Sequence, residues 1–164
     1  MKIPVTLNGT KTIFDASPDE SLLTVLEKNS ITSAKRGCLQ GTCGACTVLL
    51  NDRPVAACKV AVGLVINSNI MTLDYFSKTE EYSDISEGFS KAGFKLCGYC
   101  NAGKFFAAHE ILKMNKMPTR NDIAEVVEHL SPCCVDRETL INGVLYAAQI
   151  NDKKSQRRIP KRGF

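Results

Sequence analysis

Four of the eight cysteines stand at Cys38, Cys43, Cys46 and Cys58, a C-x4-C-x2-C-x11-C spacing, and the first three share one loop with Gly37, Gly41 and Gly44. Nothing else in the 164 residues restricts the fold so tightly. Three glycines within eight residues mark a backbone that turns sharply around something and needs angles that other residues avoid. Such a loop can aim its amides inward and donate them to sulfur, as a nest does. A second group, Cys97, Cys100, Cys133 and Cys134, lies further along. Cysteine makes up about 5% of the chain, below the roughly 8–10% of a small disulfide scaffold. The start, Met1-Lys2-Ile3-Pro4, lacks the apolar core of a signal peptide. The longest uncharged run, Val60 to Leu73, is interrupted by Gly63, Asn67, Ser68 and Asn69, too short and polar to span a bilayer. A cytoplasmic chain without membrane contact is expected. Thiols stay reduced there, so eight of them imply metal or redox chemistry before disulfides.

The formal charge of +4 belongs to the end of the chain. Residues 151–164 hold Lys153, Lys154, Arg157, Arg158, Lys161 and Arg162 against Asp152 alone, which leaves the first 150 residues near neutral. No aromatic residues interleave these cations as stacking platforms, so a nucleic-acid partner is not expected, and the segment reads as a solvated basic tail.

The hydrophobic pattern changes character near residue 75. Before it, Ile3, Val5 and Leu7 alternate, Asn8-Gly9 supplies a hairpin turn, and residues 11–14 return. Ser17-Pro18-Asp19-Glu20 carries the marks of a helix start, with Ser17 as cap and Glu20 completing a capping box, before Leu22, Leu23 and Leu26 recur at helical spacing. A second hairpin is expected from Thr47–Leu50 through Asn51-Asp52 to Val55–Ala57, and a closing strand over Ile70–Leu73. After residue 75 the spacing predicts helices over 84–92, 103–115, 121–130 and 138–150, with Gly93 as a stop, Pro118 as a break and Thr119 or Asn121 as a cap. The polar segment 74–83 reads as a linker. The expected fold class is therefore α+β, with three parts: residues 1–74, residues 75–150 as a four-helix bundle, and residues 151–164 as the tail.

The C-x4-C-x2-C…C order is the spacing of plant-type [2Fe-2S] ferredoxins, and soft thiolates suit such a cluster. A zinc site would show two CxxC pairs, and only one close pair is present in this group. Residues 31–62, and above all the string GCLQGTCGACTVLLNDRPVAAC from Gly37 to Cys58, resemble the iron–sulfur small subunit of the molybdenum hydroxylases, the family of xanthine dehydrogenase, aldehyde oxidase and carbon monoxide dehydrogenase. The resemblance extends to about residue 150. It implies a β-grasp ferredoxin-like domain followed by a four-helix domain.

Taken alone, Cys97-Gly98-Tyr99-Cys100 with a distant Cys133-Cys134 leaves zinc, a redox dithiol and an iron–sulfur cluster open. The resemblance implies the last, a second [2Fe-2S] cluster. Three departures from the family stand out. Leu96 replaces a glutamine expected to bond the molybdenum pterin. Asn101-Ala102-Gly103 replaces Thr-Pro-Gly. Ser131-Pro132-Cys133-Cys134 replaces a Cys-Arg-Cys triplet, so Pro132 falls on one ligand position and Cys134 on the other. Adjacent side chains of an extended segment point to opposite sides, so Cys133 and Cys134 can share an iron only through a local turn.

The expected metal ligands are thus Cys38, Cys43, Cys46 and Cys58 for one cluster and Cys97, Cys100, Cys133 and Cys134 for the other, with Gly37, Gly41, Gly44 and Gly98 shaping the loops. No catalytic residue is expected. His109 and His129 read as surface or half-buried packing residues, Met114 and Met117 as packing residues, and no phosphate loop, GxSxG or HExxH occurs. The resemblance implies an electron-transferring oxidoreductase subunit, of xanthine dehydrogenase type, between a molybdopterin-binding large subunit and an FAD-binding medium subunit or other acceptor. The competing readings are a degenerate subunit with the first cluster only and a zinc- or redox-sensing binding module.

Overall fold

The computed structural model describes residues 1–131 and 134–158. Its first half is a five-stranded mixed sheet built from β1 (Lys2–Leu7), β2 (Thr10–Asp15), β3 (Thr47–Leu50), β4 (Arg53–Ala56) and β5 (Asn69–Met71), in the order β2-β1-β5-β3-β4. β1 runs antiparallel to β2 and parallel to β5, and β3 runs antiparallel to both β5 and β4. Both hairpins turn as expected. Asn8 and Gly9 sit at φ 50° and 80°, and Asn51 and Asp52 at 48° and 69°, the left-handed pair that a two-residue turn requires.

Helix α1 (Leu22–Lys28) packs Leu22, Leu23, Val25 and Leu26 against Ile3, Val5 and Phe14, giving the β-grasp core. It begins later than Ser17-Pro18 implied. Ser21 is the cap, its Oγ accepting from the Thr24 N–H at 3.2 Å. The carbonyls of Pro18 and Glu20 accept from the N–H groups of Gly63 (2.9 Å) and Val62 (2.8 Å), which ties this segment to residues 62–63 instead of to a helical turn. Ser17 and Glu20 keep half of their expected box, at 3.3 Å, around a turn instead of a helix.

The second half is helical: α2 (Leu73–Phe76), α3 (Glu80–Lys91), α4 (Asn101–Met114), α5 (Arg120–Val127) and α6 (Arg137–Arg158). Segment 74–83, expected as a linker, is mostly helix. Thr79 caps α3 by accepting from Tyr82 N–H, and Glu80 and Glu81 face the positive helix end. Phe76 is buried against Phe106 and His109. Gly93 does stop α3: at φ 83° it donates to Ser90 O, while Phe94 donates to Phe89 O and packs its ring at a tilt against that of Phe89, a complete Schellman cap. Thr119 caps α5 in a full capping box with Asp122.

α6 runs on to Arg158, past the expected end at residue 150, so the first part of the basic segment is helix and not a loose tail. Lys154 pairs with Asp84, and Arg158 donates to both Glu80 carboxylate oxygens at 2.6 Å. These carboxylates hold the Lys154 and Arg158 pKa values above their ordinary range. Lys161 and Arg162 lie outside the described residues. Met114 and Met117, expected to pack, are exposed because α4 has run past the core by then.

The two cores meet at β3. Neighbouring side chains on a strand face opposite ways, so Val48 enters the β-grasp core and Leu49 the helical one. α4 is buried on nearly every side and is the axis of the second core. α3 crosses α6 at Gly88, where an added Cβ would lie 2.5 Å from Ala147 N and 2.6 Å from Gly143 O. Replacing a helical glycine by alanine ordinarily gains about 1 kcal/mol. Here overpacking against rigid backbone, about 1–3 kcal/mol, outweighs that gain. Gly88→Ala should therefore lower the thermal unfolding midpoint followed by circular dichroism, and an unchanged or raised midpoint would contradict this packing.

Candidate metal centres

The first cysteine group is assembled by the β3–β4 hairpin and the loop before it. Thr47 pairs with Ala56, and Ala57 N–H donates to Cys46 O at 3.2 Å, which explains the long x11 interval. One strand goes out and one returns, bringing Cys58, in a short 3₁₀ turn, beside Cys46. Cys58 lies close enough to Cys46 for its backbone N–H and its thiol to influence the Cys46 titration.

Residues 37–45 curl so that their amides face sulfur. Leu39 and Gly41 adopt φ 57° and 81°. As a result the N–H groups of Gln40 (3.3 Å), Thr42 (3.4 Å) and Cys43 (3.3 Å) and the Thr42 hydroxyl (3.5 Å) all point at Cys38 Sγ. Cys43 Sγ accepts from the N–H groups of Cys38 and Ala45, each at 3.4 Å. Gly37 leaves the space: a Cβ there would lie 2.6 Å from Cys43 Sγ. Gly41 and Gly44 supply left-handed turns.

The two thiols at the extremes of this site have opposite electrostatics. The Thr42 hydroxyl, then the Gln40, Cys43 and Thr42 amides, pull Cys38 down to about 5. Burial pushes Cys46 up to about 11. A set of soft thiols, one already stabilised as thiolate by N–H donors, fits a [2Fe-2S] cluster, whose binding must deprotonate the rest. Among the described residues no three His, Cys, Asp or Glu side chains converge as on a single ion, whereas a [2Fe-2S] cluster takes two ligands on each of two irons.

The second group stands at the head of α4. Cys97 is exposed, Cys100 is buried at the position just before the helix, and Gly98 between them takes φ 93° with open space around it, so its need is conformational. Cys134 is exposed ahead of α6. Cys133 and Pro132, with the local turn expected there, lie outside the described residues. Ser131 and Cys100 are brought together by Lys104, whose Nζ donates to Cys100 Sγ at 3.1 Å and to Ser131 O at 3.5 Å. Lys104 is only 3% exposed.

The two groups are joined directly. Gly103 N–H donates to Gly44 O at 3.0 Å, and a Cβ on Gly103 would lie 2.8 Å from Gly44 Cα. Tyr99 Oη donates to Arg36 O at 2.6 Å, Ser131 Oγ to Thr42 O at 3.0 Å, and Lys35 Nζ to Gly98 O. The cysteine pattern did not single out Thr42, Lys35, Tyr99, Ser131, Gly103 or Lys104 for these contacts. Only Gly103, at the end of the family's Thr-Pro-Gly position, carried a signal.

Leu96 packs against the helical core and offers no amide. His129 is exposed. His109 is buried, contrary to the half-buried or surface position expected: its ring packs edge-on against Phe76 while two carboxylates satisfy its nitrogens, Glu81 Oε1 at 2.5 Å from Nδ1 and Asp52 Oδ1 at 3.0 Å from Nε2. These residues line a groove of about 650 Å³ that contains no cysteine. No helix among the described residues is long and apolar enough to cross a membrane.

Residues 5–66 match the family described as "2Fe-2S iron-sulfur cluster binding domain", and residues 72–144 match "[2Fe-2S] binding domain". The nicotinate dehydrogenase small FeS subunit of Eubacterium barkeri is 36% identical over 122 residues, 74% of this chain and 78% of that one. The xanthine dehydrogenase iron-sulfur-binding subunit of Escherichia coli O157:H7 is 30% identical over 147 residues, 87% of this chain and 91% of that one. The solved quinoline 2-oxidoreductase of Pseudomonas putida 86 contains a chain that superposes with a TM-score of 0.82 at 29% identity, covering 93% of this chain and 96% of that one.

The contrast between Cys38 and Cys46 is measurable in the cluster-free chain. Thiolate is the reactive form. Alkylation of Cys38 by iodoacetamide, followed by peptide mass spectrometry, should rise with pH through about 5 and be level at neutral pH. Cys46 should react only toward about pH 11. Equal rates at neutral pH would refute this assignment.

Proposed function

We propose a route for electrons across this chain, which belongs to the [2Fe-2S] small-subunit family of the molybdenum hydroxylases. It is an electron-transferring oxidoreductase subunit of a multi-subunit dehydrogenase, and it carries two [2Fe-2S] clusters. The first would be held by Cys38, Cys43, Cys46 and Cys58, with Gly37, Gly41 and Gly44 giving the loop its shape. The second would be held by Cys97, Cys100, Cys133 and Cys134, with Gly98 turning between the first two. Each cluster supplies a one-electron carrier.

The observation that carries the route is the Gly44–Gly103 contact. It brings the backbones of the two cysteine loops to hydrogen-bond distance, so no third element has to be crossed between the sites. Electrons would arrive at the Cys97–Cys134 side from a molybdopterin-binding large subunit. They would pass at the Gly44–Gly103 contact and leave from the Cys38 loop to an FAD-binding medium subunit. The exposure of Cys97, Cys134, Leu39 and Tyr99 supports this, since it leaves the outer rim of each loop open to a partner. Leu96 means that the large subunit's pterin would be met by an apolar side chain. The chain's own residues hold and tune carriers and perform no substrate chemistry. The names of the relatives, nicotinate, xanthine and quinoline enzymes, support a nitrogen-containing aromatic ring as the substrate class of the whole complex. The expected division near residue 75 and a cytoplasmic location are kept as part of this reading.

Protein purified without oxygen should contain four irons and four sulfides per chain, as two such clusters require. Reduced with dithionite, it should give two distinct S = 1/2 signals by low-temperature EPR. Two irons and a single signal would leave only the degenerate reading standing, and a colourless zinc protein would refute both.

A further inference from the structure

Lys104 stands where a lysine is hardest to keep. It lies in the first turn of α4, whose positive end disfavours cations. It is also 3% exposed, and burying an ammonium without an anion is costly. A cation persists there only opposite a compensating negative charge. Its Nζ lies 3.1 Å from Cys100 Sγ, four residues back on the same helix face, with Ser131 O at 3.5 Å.

We propose that Lys104 is a positioning residue for the second cluster that raises its reduction potential, favouring arrival of the electron there. This rests on the reading of Cys100 as a ligand. Two ferric ions, two sulfides and four thiolates carry two negative charges, and gaining one electron makes three. The electron comes from dithionite in the test, and in the complex from the partner's substrate-oxidising centre. No bond to Lys104 forms or breaks, and its charge is the same before and after. A fixed cation at hydrogen-bond distance in a buried site therefore stabilises the reduced form more than the oxidised form. Charge and hydrogen bonds to sulfur are the recognised levers on such potentials.

The test is an EPR-monitored dithionite titration of the cluster-loaded full chain, comparing wild type with Lys104→Met, Lys104→Gln and Lys104→Arg. In Lys104→Met the reduction equilibrium of the second cluster should fall about tenfold, ~59 mV for one electron, while the first cluster's is unmoved. Lys104→Gln keeps a donor without the charge and should fall in the same direction. Lys104→Arg restores the charge and should stay within about threefold of wild type. If Lys104→Met does not retain its iron, the Gln and Arg pair decides between charge and packing. Four irons in the variants with an unmoved second potential would overturn this inference alone. Two irons in wild type would overturn the two-cluster reading, and this inference with it.

Discussion

The backbone contact between Gly44 and Gly103 is the constraint on which the rest of the molecule depends. One glycine ends the loop of a β-grasp fold and the other opens the central helix of a bundle. A side chain on either would strike the other at 3.1 Å or less. The contact holds two separately built halves in one register. Leu49, entering the helical core from β3, anchors the same junction from the sheet side, and His109 between Asp52 and Glu81 ties the β3–β4 turn to α3 and α4.

Electrostatics are arranged around that junction in a graded way. The Cys38 loop stabilises a thiolate with neutral donors: amides and one hydroxyl, at a half-exposed site. The Cys100 side uses a formal charge, Lys104, at a buried one. A dipole suffices where water screens, whereas a buried anion calls for a cation. The two cysteine groups therefore differ in their electrostatic setting although both are built from thiols. Away from the clusters, Lys154 and Arg158 of α6 pair with Asp84 and Glu80, so two of the six cations at the end of the sequence serve helix packing.

What could be read from the order of residues followed from local rules. The Asn-Gly and Asn-Asp turns, the alternation in β1, the Schellman glycine after α3 and the Thr119 cap each depend on a few neighbouring residues. The C-x4-C-x2-C-x11-C spacing pointed to a ferredoxin-like loop because a hairpin of that length returns Cys58 to Cys46. The expectations that missed were those in which distant chain intervened. The carbonyls of Pro18 and Glu20 were claimed by residues 62 and 63, delaying α1. Phe76 and Thr79 turned a polar linker into helix, through a buried ring and a cap. α6 was prolonged by partners seventy or more residues away.

By itself, then, the sequence determined the two cysteine groups, the glycine loop and the succession of strands and then helices, because those are properties of spacing and local backbone preference. Only the tertiary structure decided that Gly44 meets Gly103, that Lys104 is buried on Cys100, and that His109 lies between two carboxylates. Each of these joins residues from different elements. Their approach is set by how a sheet and a bundle pack together, and no local pattern records that.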